Sequence, residues 1–110
     1  MKIKMKVTER GFRMVAFKDR AGDVCTIQES SSAIEPRIWF GINDANPQIM
    51  ASNAKSHGIK TDQTTGWIPY PVPEDVLLST RMHLSQKDVK GLMPFLKRFL
   101  KTGGLFSDIG

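Results

Sequence analysis

Apart from its carboxylates, the residues in this chain best suited to act as nucleophile, base or soft metal ligand are its single cysteine and two histidines, Cys25, His57 and His83. Zinc sites and cysteine–histidine pairs depend on close spacing or on a fold that gathers distant residues. None of these three lies near another in sequence. Cys25 sits inside a run of strand-forming residues, where a thiol acts as a small buried hydrophobe. His83 falls close to a strand end and reads as exposed or capped. Glu74 and Asp75 are adjacent, so on a strand they point to opposite faces and cannot share an acid–base task. Ser30, Ser31 and Ser32 have no neighbouring base to activate them. There is no glycine-rich phosphate loop and no His-Glu-x-x-His pair. The chain therefore reads as a non-enzymatic protein that calls for no metal and no cofactor.

What remains is binding chemistry, of two kinds. The first is charge. The net charge is +5, and it gathers at the two ends. Residues 1–23 hold Lys2, Lys4, Lys6, Arg10, Arg13, Lys18 and Arg20 against three acids, and residues 87–101 hold Lys87, Lys90, Lys97, Arg98 and Lys101 against Asp88. If the ends meet, Lys2, Lys4, Lys6, Arg10, Lys97, Arg98 and Lys101 make a positive surface for nucleic acid or an acidic protein. Trp39 and Phe40 are aromatics near that charge, but they alternate on their strand, so at least one is core. The plainer reading is that edge-strand lysines block strand pairing and helix-end cations complement the helix dipole.

The second is aromatic. Trp67, Ile68 and Tyr70 ride on Thr64-Thr65-Gly66-Trp67-Ile68-Pro69-Tyr70-Pro71-Val72-Pro73, where three alternate prolines stiffen the backbone. A rigid apolar segment loses little entropy on binding, which suits a contact surface for a protein partner. Arg81 and His83 are its candidate polar neighbours. Alternatively, Trp67 and Tyr70 fold back over a core edge.

The elements that must position these groups follow from periodicity. Ile3, Met5 and Val7 alternate with lysines, so residues 1–11 read as an edge strand or a basic arm. Residues 12–18 and 24–29 flank a turn at Asp19–Asp23, a β-hairpin pattern. Arg37–Ile42 is dense in branched and aromatic residues and reads as a central strand. Gln48–Ala51 reads as a short strand, Ser52–Gly58 as a helical turn, residues 59–73 as loop, and Glu74–Leu84 as a strand. Ser85 then caps a helix that ends at Thr102-Gly103, with Val89, Leu92, Met93, Leu96, Phe99 and Leu100 along one face and Pro94 inside it. The whole reads as one α+β domain over residues 1–110, a small mainly antiparallel sheet with the amphipathic helix of residues 85–102 packed on one face.

No stretch approaches the ~20 apolar residues of a membrane span, and the alternating first residues carry no signal-peptide core. One free cysteine suits a reducing compartment, so a cytoplasmic protein is expected.

Several uncommon words occur here in one order: Cys25-Thr26-Ile27-Gln28-Glu29-Ser30-Ser31, Ile38-Trp39-Phe40-Gly41, the Thr64–Pro71 segment, and Arg81-Met82-His83-Leu84 followed by the helix to Thr102-Gly103. Over residues 12–105 the chain resembles a group of small accessory proteins of phages and prophages. The resemblance implies an origin and no catalytic residue. It implies a protein that docks on a host component, such as part of a defence complex, and inhibits or redirects it in the host cytoplasm. A nucleic-acid binder and a homo-oligomer holding a small nucleotide signal are the alternatives.

Overall fold

The structure, a computed structural model, describes residues 1–106. Seven strands and one long helix follow in the order β1 (Lys4–Val7), β2 (Arg13–Lys18), β3 (Val24–Glu29), β4 (Arg37–Ile42), β5 (Gln48–Met50), β6 (Trp67–Pro69), β7 (Arg81–Ser85) and α1 (Gln86–Thr102), with two short 3-10 turns at Ala51–Asn53 and Lys55–His57. The α+β class stands as read. The chain, read as one domain, comprises two compact units. The first is residues 1–43 with the chain from Arg81 onward, and the second is Asp44–Thr80.

The first unit is a five-stranded antiparallel sheet in the order β1-β2-β3-β4-β7. Register fixes its two faces, because directly paired residues project to the same side and neighbours along a strand alternate. Lys6, Met14, Gln28, Trp39 and His83 form one cross-strand row, and Lys4, Ala16, Thr26, Gly41 and Arg81 the next. This side is polar and basic. The opposite side carries Met5, Val15, Ile27, Phe40 and Met82 in one row, with Phe17, Cys25 and Ile42 in the next. This side is apolar. Phe17 and Phe40 meet edge to face there, ring centroids 6.5 Å apart.

α1 begins where β7 ends, with no residue between them. Ser85 is both the last strand residue and the helix N-cap. Its Oγ accepts from the Asp88 N–H at 3.2 Å, and its own N–H donates to the Asp88 carboxylate at 3.0 Å, a complete capping box. Those hydrogen bonds, the backbone one first, hold the Asp88 carboxyl below its usual range. Gly103 ends the helix in the left-handed conformation, φ 80°, its N–H reaching the Phe99 carbonyl at 2.8 Å. Pro94 is accommodated inside the helix. The expected packing of this helix across the sheet is not what the structure has. α1 buries no side chain, and its principal neighbour is β7, the strand it continues. A βα connection that folds back on its own sheet usually spends two to six residues doing so. The strand-to-helix junction here has none.

The second unit is smaller. β5 and β6 pair antiparallel, Ile49 opposite Ile68, over a core of Ala51, Ala54 and Ile68 edged by Ile49 and Ile59. β6 falls within the stretch read as loop. Its Pro69 needs no ladder donor, because this two-stranded ribbon is all edge. Conversely, the strand read over Glu74–Leu84 begins only at Arg81. Residues 74–80 are not strand, and a turn closed by the Val76 N–H on the Pro73 carbonyl stands near their start.

Candidate functional site

The polar side of the five-stranded sheet gathers side chains from widely separated positions. Trp39 on β4 and His83 on β7 are direct cross-strand partners, and their rings lie parallel, 8° apart in plane with centroids separated by 3.9 Å. His83 is held in that pose by Ser30, whose Oγ is 2.8 Å from Nε2. β7 is an edge strand, so the imidazole is the outermost member of the stack and is exposed.

Arg81 lies two residues before His83 on the same side. Its guanidinium carbon stands 5.7 Å from the Trp39 ring centroid, within cation–π range. One Nη1 donates to Gln28 Oε1 at 2.9 Å and lies 3.5 Å from Thr26 Oγ1. To reach β3 the side chain must cross β4, and the residue of β4 directly opposite Arg81 is Gly41. Gly41 has φ 152° and no side chain to block the way. Beneath lies Thr26, 1% exposed, its hydroxyl donating to Asn43 Oδ1 at 2.7 Å. Every group in this cluster is pinned by a partner, yet Arg81 has further donors to offer.

Next to the stack is an open recess of about 390 Å³, bordered by Arg10, Phe12, Gln28, Ser31 and Trp39. Arg10 comes from the β1–β2 turn, where the Gly11 N–H meets the Thr8 carbonyl at 2.9 Å and the Phe12 N–H meets Thr8 Oγ1 at 3.0 Å. Its guanidinium sits over the Phe12 ring at 5.6 Å. Glu9 and Glu29 also touch the recess, and Glu29 is engaged by the Arg13 N–H at 2.7 Å. Lys4 and Lys6 lie on this same side of the sheet, two strands from Gln28.

The residues singled out from sequence are therefore regrouped. Lys4, Lys6, Arg10, Arg81 and His83 belong to one side of one sheet. Lys2 precedes β1 in the same unit. Lys97, Arg98 and Lys101 do not join them. β1 and β7 are opposite edges of the sheet, about 19 Å apart at ordinary strand spacing, and the helix leaves from the β7 edge. Its basic residues border a separate hollow with Pro94, Thr102 and Phe106. In the second unit, Trp67 is 64% exposed and Tyr70 is exposed, its ring edge-on to His57 at 5.7 Å. Ile68 is 5% exposed and is core, so it cannot serve as a contact anchor. Gln28, Ser30 and Gly41 carry no sequence signal of their own. Only strand register makes them part of the site.

Cys25 lies on the apolar side, buried, which pushes its thiol above the ordinary value. Among the described residues no group of histidine, cysteine and carboxylate side chains could hold a metal ion, and no helix is long and apolar enough to cross a membrane. The polar side presents flat rings that can stack and cations that can meet an anion. No family model, no curated protein and no solved structure matches this chain.

Proposed function

We propose that this protein is a non-enzymatic binding module whose polar sheet face takes a nucleotide-type ligand, either a single strand of nucleic acid or a free nucleotide. The observation that carries this reading is the parallel Trp39–His83 stack with Arg81 beside it. A base added to the exposed imidazole extends the stack, at a sequence-tolerant gain of about 1–3 kcal/mol per base. Arg10, Arg81, Lys4 and Lys6 then supply the charge that a phosphate requires. Ser30, read from sequence as lacking a neighbouring base, does meet the imidazole of His83 at 2.8 Å, and in this reading that contact holds the ring for stacking. The resemblance to phage and prophage accessory proteins supplies a setting in the bacterial host cytoplasm, where sequestering a nucleic acid or nucleotide is a way to redirect a host process.

The test is fluorescence anisotropy of a labelled oligothymidylate, read at two salt concentrations and then in competition with AMP. The reading expects binding that weakens steeply with salt, because phosphate contacts release counterions. It also expects at least a tenfold loss in Trp39→Ala. Competition by AMP at a comparable concentration assigns a free nucleotide, and absence of competition assigns a strand. No binding of either ligand at low salt overturns the reading.

A second reading has its own observation. Trp67 stands exposed on a proline-flanked strand, the presentation expected of an anchor for a host protein. Retention of one host protein in a pull-down, after nuclease and high salt, and its loss in Trp67→Ala would favour docking through the second unit.

A further inference from the structure

The first unit holds both halves of a hydrophobic core and joins neither to the other. The sheet's apolar side leaves Met5 86% exposed and Met82 exposed, with Phe40 only partly covered. The stripe of α1 is open along its length: Leu92, Leu96 and Phe99 are exposed, and Leu100 is 87% so. Such a helix does not stand by itself. It contains Gly91 and Pro94, both costly within a helix, and most of a helix's stability in a protein comes from packing its amphipathic face.

The areas are also informative. The chain exposes 9640 Å². A folded monomer of 12.3 kDa exposes about 6,100 Å², and two separate units of these lengths about 7,300 Å² together. The excess of roughly 2,300 Å² is spread over both units and falls within the range of about 1,000–2,500 Å² that obligate dimers bury on each partner. Lengths match as well. Seventeen helical residues span about 26 Å, enough to cross a five-stranded sheet about 19 Å wide.

We propose that α1 of one copy lies across the apolar sheet face of a second copy, and that the second returns its own helix in exchange. The occupant of the face is thus the same chain, and the pair closes on a two-fold axis. The missing linker at Ser85–Gln86 is what directs the helix outward, and the stripe of Leu92, Leu96 and Phe99 is what the partner's Val15, Ile27 and Phe40 receive. The polar face, with Trp39 and His83, is on the other side of each sheet and stays open.

The test uses the full chain. Sedimentation equilibrium at micromolar concentration should give twice the chain mass. Isotope-filtered NOE spectra on a mixture of ¹³C-labelled and unlabelled protein should then show contacts between helix-stripe methyls of one copy and β2–β4 side chains of the other. A monomer at that concentration overturns the proposal. So does an oligomer whose intermolecular contacts are helix to helix or strand to strand. The variant Leu96→Glu with Phe99→Glu should lose the doubled mass. If that variant fails to fold, the NOE pattern of the unmodified chain decides.

Discussion

The two sides of the five-stranded sheet are built to different standards. On the polar side each functional group is tied to a neighbour: His83 to Ser30, Arg81 to Gln28, Thr26 to Asn43. On the apolar side Met5 and Met82 stand exposed and Phe17 and Phe40 are only half-buried, although the chain carries a helix of the right length to cover them. A face whose polar groups are satisfied within one chain can work within one chain. A face of uncovered apolar groups is half of a core, and hydrophobic burial is the dominant favourable term in folding. The difference separates the two proposals: the polar side is satisfied within one chain, and the apolar side is the one that the proposed exchange would complete with a second copy.

That contrast can be broken at its apolar end first. Phe40→Ala should destabilise the protein by about 3 kcal/mol, the cost of truncating a fully buried ring. In a single chain Phe40 is only partly buried, and a far smaller loss would be expected. Urea denaturation at several protein concentrations checks both points, because the midpoint of an obligate dimer rises with concentration.

A second substitution acts on the other side. Trp39→Ala should leave the oligomeric mass unchanged and weaken ligand binding by about 2 kcal/mol, near thirtyfold. Equal damage to assembly and binding would erase the division between the faces. Gly41→Val probes the same side by a different route. It places a branched side chain between Arg81 and Gln28, and at φ 152° it is strained whatever space surrounds it. Binding should fall by about tenfold as Arg81 is displaced, with the salt dependence reduced by about one phosphate contact.

The smallest effect belongs to the junction that aims the helix. Ser85→Ala removes the N-cap and should lower stability by about 1 kcal/mol in thermal or urea unfolding. The pH dependence has a definite sign. Asp88 has its carboxyl depressed in the folded protein. Its contribution is therefore full above the ordinary carboxylate value and fades as pH falls through the lowered one. Asp88→Asn should flatten stability against pH over that acid range.

Much of this architecture was legible in the residues. Val24–Glu29 and Arg37–Ile42 are found as read, and Arg13–Lys18 within one residue, because alternation and β-branched density mark strands that face two environments. The helix was legible too, since Ser85, Asp88 and Gly103 punctuate it at both ends. Its placement was not. Amphipathic spacing says that a stripe must be covered and cannot say by which chain. Trp67–Pro69 was hidden by its prolines, which suit an edge ribbon as well as a loop. Residues 74–80 share the apolar alternation of a strand but have no partner strand, and their apolar side chains stand exposed. The site was legible only in part. Arg81 and His83 drew notice as polar residues on one strand face, and Trp39 as an aromatic. Register alone reveals that Trp39 and His83 are opposite each other, and that a glycine lies opposite Arg81.

The most direct test of the recognition face is a fluorescence titration of Trp67→Phe, which leaves Trp39 as the sole tryptophan. Addition of oligothymidylate or AMP should alter the Trp39 emission saturably, and His83→Ala should weaken the apparent affinity. An emission that stays unchanged while anisotropy reports binding would place the ligand elsewhere and contradict the assignment of this face.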